Sequence, residues 1–131
     1  AVEGSPFDFR EMKKIGDGIH CDNAQLKLGG TYDHNFVING DGLREAAVLQ
    51  SKESGIRLTC FTDQPGVQLY VPCYTLHQKG IDGKDYPPYS AVCLETQHYP
   101  NAINIEHFPS VVLKAGENFR SKTLYHFSVM G

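Results

Sequence analysis

RLTCFTDQPGVQLYV, residues 57–71, decides the fold class. Residues 57–62 and 67–71 are two short runs rich in the β-branched and aromatic residues that favour strands. Gln64-Pro65-Gly66 lies between them and is turn chemistry, because proline presets φ and glycine accepts conformations closed to other residues. The same grammar continues outward. Residues 91–96 read as a buried-type strand and residues 111–113 as a short one. Near the end Thr123, Tyr125, Phe127 and Val129 alternate with Leu124, His126 and Ser128, which gives a strand with two different faces. Further turns are expected at Gly29-Gly30, Asn39-Gly40-Asp41-Gly42, Asp82-Gly83-Lys84 and Lys114-Ala115-Gly116-Glu117. Short strands punctuated in this way predict an all-β fold, an antiparallel β-sandwich or barrel. Helix is expected only over residues 9–15, ended by Gly16, and over residues 43–49. Residues 76–89 read as the longest irregular segment, a place where β scaffolds often carry binding residues.

Composition removes several function classes. The 131 residues are the size of one domain, with formal net charge −3 and no basic stripe, so a nucleic-acid backbone is excluded as a partner. No apolar run approaches the ~20 residues that span a bilayer, and no basic amphipathic helix would lie on one, so no membrane partner is expected. Cys21, Cys60, Cys73 and Cys93 form no Cys-x-x-Cys pair. Two disulfides are formally open to them, but three of the four sit in apolar or strand-like runs, where a free thiol behaves as a small hydrophobe. The reading is a reducing, cytoplasmic setting. The six histidines show neither His-x-His nor His-Glu-x-x-His, so no metal is expected. There is no nucleophile elbow, and Gly16-Asp17-Gly18 lacks the lysine and helix of a phosphate cradle. The chain opens Ala1-Val2-Glu3-Gly4-Ser5-Pro6-Phe7 without a methionine or a polar lead-in, which reads as a piece of something longer.

Three polar groups stand out against this background. Thr31-Tyr32-Asp33-His34-Asn35-Phe36 presses polar residues between aromatics, Gly66-Val67-Gln68-Leu69 puts an amide inside a strand, and Leu94-Glu95-Thr96-Gln97 ends an apolar run on a carboxylate. Each has a plain structural reading. Asp33 and Asn35 can satisfy turn backbone, Gln68 can point to solvent, and Glu95 can pair with Arg57 or Arg120. The alternative for Glu95 is chemistry, since an unpaired carboxylate is costly to bury and a partly desolvated one is a stronger base.

Taken in order, Gly4-Ser5-Pro6-Phe7-Asp8-Phe9-Arg10, Ile15-Gly16, Tyr32-Asp33-His34-Asn35-Phe36, Ala46-Ala47, Pro65-Gly66-Val67-Gln68-Leu69-Tyr70, Cys93-Leu94-Glu95-Thr96-Gln97, Phe108-Pro109-Ser110 and Gly116-Glu117 resemble the C-terminal portion of the aldose 1-epimerase (galactose mutarotase) family. The resemblance runs nearly end to end. It implies that residues 1–131 are the C-terminal part of a mutarotase-like β-sandwich domain, incomplete by itself. It also implies a mutarotase that interconverts the α and β anomers of a hexose such as galactose or glucose by general acid–base catalysis, without a cofactor. Glu95 then looks like the general base, Asp33 like a residue that binds sugar hydroxyls, and Gln68 like a further substrate-binding residue, with His34 and Asn35 supporting Asp33. The chain departs from the family at Ile56, where Arg usually follows Ser-Gly, and at Asn101, where Asp usually follows Tyr-Pro. The histidine that acts as general acid in the family belongs to the N-terminal portion, and nothing here matches it. The expected partners are therefore an aldohexose and that N-terminal portion, and the isolated chain is expected to be inactive. A non-catalytic carbohydrate-binding domain of the same fold is the alternative, although the chain has no Trp on which to stack a sugar.

Overall fold

The computed structural model of the chain describes residues 1–74 and 76–131, with residues 76–78 described as backbone. Among the described residues it contains a short helix α1 (Ala24–Gly29) and strands β1 (Asp33–Val37), β2 (Arg44–Gln50), β3 (Ile56–Thr62), β4 (Gly66–Tyr70), β5 (Leu76–Lys79), β6 (Asp85–Tyr86), β7 (Cys93–Gln97) and β8 (Thr123–Val129). They form sheets in the orders β1-β4-β7, β2-β3-β8 and β5-β6. The all-β antiparallel architecture is the one the turn and strand pattern predicted. The chain divides into two compact units, Ala1–His34 with Leu69–Cys93 and Asn35–Gln68 with Leu94–Gly131, and each is taken by itself.

In the second unit, the two runs of residues 57–71 enter different sheets: β3 lies at the centre of β2-β3-β8, and β4 at the centre of β1-β4-β7. The β3 register is antiparallel on both sides, with Cys60 between Ala47 and Tyr125 and Thr62 between Arg44 and Thr123. A central strand has neighbours on both edges, and Cys60 and Thr62 accordingly have no exposed surface. Threonine hydroxyls join the sheets here: Thr123 Oγ1 lies 3.1 Å from Thr62 Oγ1 and 2.6 Å from Thr96 Oγ1. The Tyr125 hydroxyl donates to the Leu94 carbonyl at 2.6 Å, which pins β7 to β8. The far half of β8 is uncovered, with Phe127 65% and Val129 81% exposed.

In the first unit the core is Tyr32, whose ring receives the edges of Phe7 and Phe9 at 5.6 and 5.3 Å and whose hydroxyl donates to the Pro6 carbonyl at 2.9 Å. Helix α1 is bounded by its caps. The Asn23 side chain accepts from the Gln25 N–H at 2.9 Å, and Gly30 takes φ +70°, a left-handed C-cap that glycine adopts without strain.

Several expectations are corrected. Residues 43–49 form strand, not helix: the helix preference of Glu45, Ala46 and Ala47 yields to the ladder with β3, since pairing along a seven-residue strand outweighs tenths of a kcal/mol per residue. Residues 9–15 form no helix, and only a 3₁₀ turn at Ile15–Asp17 follows. The actual helix uses an Asn cap and a Gly stop, the latter at the Gly29-Gly30 pair that reads locally as a turn. Residues 111–113 form no strand, with Val112 57% exposed. The stretch 76–89 is not irregular throughout, because β5 and β6 pair antiparallel within it, with Leu76 opposite Tyr86 and Lys79 opposite Asp85.

Candidate active site

Strand β4 positions the second unit's site. Its pleat sends Gly66 and Gln68 to the same side, with Val67 buried on the other. Gly66 leaves the surface of the strand bare, and the Asn35 side chain occupies that space: a Cβ on Gly66 would meet Asn35 Oδ1 at 2.5 Å and Nδ2 at 2.9 Å. From there the Asn35 oxygen accepts from Gln97 Nε2 at 3.3 Å, and the Gln68 oxygen accepts from the same nitrogen at 3.2 Å. One amide of β7 thus ties β1, β4 and β7 together, and three motifs far apart in sequence meet at a single nitrogen.

Glu95 is two residues before Gln97 on β7, so strand alternation places both on the side that carries this amide cluster. The expectation of a desolvated carboxylate is corrected, because Glu95 is exposed. Among the described residues β7 is an edge strand of its sheet. Among the described residues no ion pair joins Glu95 to Arg57 or Arg120, so the structural alternative is not what holds it. Behind it, burial and then the negative charges of Cys60 and Glu95 push the Tyr125 phenol up. That hydroxyl stays protonated and keeps its bond to Leu94.

In the first unit, Asp33 opens β1 and is exposed. Its N–H donates to His34 Nδ1 at 3.0 Å, which requires that nitrogen to be unprotonated. The imidazole lies 4.6 Å from the Phe7 ring, and burial lowers its pKa against the opposing pull of Asp33 and of a hydrogen bond to the Gln25 backbone. The Val71 N–H donates to the Tyr32 carbonyl at 2.9 Å, and in the other unit the Ile38 N–H donates to the Pro65 carbonyl at 3.0 Å, so β1 and β4 run antiparallel. Tyr70 donates its hydroxyl to Tyr74 at 3.0 Å; that hydrogen bond first, then burial, then the charges of Tyr74, Cys73 and Asp33 push its phenol up to about 12.

Sequence reasoning names Asp33, Gln68 and Glu95 but passes over what Gly66, Tyr70 and Gln97 do. A signal exists for two of them: Tyr70 repeats the phase of Gln68, and Gln97 repeats that of Glu95. A cleft of about 440 Å³ around Ile38, Asp41, Arg44, Asp63, His98 and Tyr99 includes none of the three expected residues. Its cation is already engaged, since Arg44 donates to the carbonyls of Ile38, Asn39, Gly42 and Thr62. The four cysteines are free thiols. Among the described residues no group of His, Cys, Asp and Glu is arranged to hold a metal ion, and no helix is long and apolar enough to cross a membrane. The side chain of His77 lies outside the described residues.

Comparison with known proteins shows the family. The aldose 1-epimerase family profile matches residues 1–126. The chain belongs to the aldose 1-epimerase family. It is 39% identical to galactose mutarotase of Bos taurus over 98% of its own length and 37% of that protein's. It is 38% identical to the human galactose mutarotase, covering 36% of that protein, and 28% identical to the aldose 1-epimerase of Haemophilus influenzae. The crystal structure of the GalM/aldose epimerase homologue from C. elegans superposes with a TM-score of 0.84 at 28% identity, over 100% of this chain and 39% of that one. The chain therefore spans little more than a third of the aldose 1-epimerases it matches.

Proposed function

We propose that this chain carries the general base and part of the sugar-binding surface of an aldose 1-epimerase acting on a hexose such as galactose or glucose. It corresponds to the enzyme's C-terminal portion and works together with an N-terminal portion. The observation that carries the reading is the amide cluster of Asn35, Gln68 and Gln97 on the side of the sheet that bears Glu95. Hydrogen-bonding side chains held on strands are what sugar hydroxyls need, and an exposed carboxylate among them can be reached by an anomeric hydroxyl. Glu95 takes the anomeric proton. The electron pair left on that oxygen forms the carbonyl as the bond from the anomeric carbon to the ring oxygen breaks, and an acid protonates that oxygen. Rotation of the aldehyde and the reverse sequence return the other anomer. Asp33 and Gln68 hold the remaining hydroxyls.

The acid is the histidine expected in the N-terminal portion. Docking of that portion supplies the desolvation that Glu95 lacks here, and the uncovered apolar side chains of β8 are the kind of surface it would cover. The free thiols fit a reducing, cytoplasmic setting.

The test is polarimetry of freshly dissolved α-galactose with the two portions joined in one chain. Glu95→Gln should reduce anomer interconversion by roughly 10²–10⁴-fold while leaving the melting temperature in place. Undiminished activity sinks the assignment. Saturable sugar binding without exchange in the parent would point to a non-catalytic domain instead.

A further inference from the structure

Among the described residues β7 pairs with β4 alone, so Glu95 stands on an edge strand. An exposed carboxylate there needs a further source of precision, because productive geometry tolerates errors of only about 0.5 Å and 10–20°. The residues on either side of Glu95 supply one. The Leu94 carbonyl accepts from the Tyr125 hydroxyl at 2.6 Å, and Thr96 Oγ1 lies 2.6 Å from Thr123 Oγ1. Leu94 and Thr96 alternate with Glu95 on β7, and Thr123 and Tyr125 share one face of β8, so the two ties are in step. One tie would leave the strand able to roll about its axis. Two, one on each side of residue 95, remove that freedom.

The anchor behind them is firm. Thr123 Oγ1 also lies 3.1 Å from Thr62 Oγ1, which accepts from the Gln64 N–H at 3.1 Å. Thr62, and Cys60 in register with Tyr125, have no exposed surface. Burial first, then the charges of Cys60 and Glu95, push the Tyr125 phenol up, so it keeps its proton and the tie lasts through neutral pH.

We propose that Tyr125 and Thr123 are positioning residues: gripping β7 on either side of Glu95, they set the direction in which its carboxylate leaves the strand. This deepens the functional reading above and rests on it for Glu95 as the base. A role in packing alone predicts lost stability and nothing more. Positioning predicts a loss in the chemical step, because the clamp grips Leu94 and Thr96 and leaves the sugar contacts alone.

The experiment uses the complete enzyme, with the two portions joined in one chain, and its Tyr125→Phe, Thr123→Val and Thr123→Ser variants. Tyr125→Phe and Thr123→Val should each lower kcat about tenfold or more, with KM changed less than about twofold. Thr123→Ser keeps the hydroxyl and should restore kcat. The acid limb of the pH–rate profile should stay in place in Tyr125→Phe, since the hydroxyl holds the strand and not the carboxylate. Hydrogen exchange, read by mass spectrometry without turnover, should be roughly tenfold faster over residues 94–97 in Tyr125→Phe and unchanged over residues 56–62. The proposal is overturned by an unchanged kcat in Tyr125→Phe, by a loss that Thr123→Ser shares with Thr123→Val, by a displaced acid limb, or by unchanged exchange over residues 94–97. Should Thr123→Val fail to fold, Tyr125→Phe carries the test by itself. Absence of anomer exchange in the unsubstituted enzyme would count against the mutarotase reading alone, because hydrogen exchange decides independently whether the clamp holds β7.

Discussion

Gly66→Ala tests the packing that brings the three motifs together. Gly66 is buried in β4 and does not occupy the left-handed region, so alanine suits the backbone and by itself stabilises a strand by about 0.5–1 kcal/mol. The obstacle is Asn35: the new methyl would sit 2.5 Å from its Oδ1, 2.9 Å from its Nδ2 and 3.1 Å from its Cγ. If Asn35 stays, the site is overpacked, at about 1–3 kcal/mol. If it rotates away, the bond from Gln97 is lost and a half-buried amide is left without it, at about 1–3 kcal/mol. Either route exceeds the backbone gain, so the net expectation is a loss of about 1–2 kcal/mol, read as a lower urea midpoint at unchanged m. The decisive arm is the double mutant. In an Asn35→Ala background the three atoms nearest the methyl are gone, and the favourable backbone term should prevail. Gly66→Ala should there be neutral or stabilising, and the coupling energy should be at least about 1 kcal/mol. An equal penalty in both backgrounds refutes the reasoning, because the cost would then lie in the strand and not in the side chain of Asn35.

Stability should also fall with pH through His34. Its folded pKa is depressed by burial, so between that value and 6.5 the unfolded chain binds more protons than the folded one. The stabilisation is therefore full above the unfolded value of about 6.5 and is lost as pH falls from there through the lower folded value, and His34→Gln should flatten the urea midpoint across that range. Phe127→Glu, at a side chain 65% exposed, should change stability by no more than about 0.5 kcal/mol while reducing self-association in sedimentation. A large loss of stability would mean that Phe127 is packed and not presented.

Much of the fold can be read along the chain because the signals are local. Pro65-Gly66 and Asn39-Gly40-Asp41-Gly42 mark turns by backbone geometry alone, and β3, β4 and β8 announce themselves by β-branched and aromatic content. Residues 43–49 mislead for the opposite reason. Their Glu and Ala content favours helix by itself, and only the ladder to β3, with its bulge between Glu45 and Ala47, makes them strand. The same limit applies to Glu95. An apolar run before it implies burial, but burial depends on whether another strand lies beyond β7, and residues 91–97 carry no record of their neighbours.

The sequence by itself determined the all-β class and the turns, through residue type and spacing, and its resemblance to a family supplied that family and the candidate positions Asp33, Gln68 and Glu95. Tertiary structure alone decided that Gln97 bonds both Gln68 and Asn35, that Gly66 is bare so that Asn35 can lie over it, and that Glu95 stands exposed on an edge strand. Those facts depend on which strands become neighbours. Hydrogen bonds between residues 29 and 62 positions apart exist only after the sheet has formed.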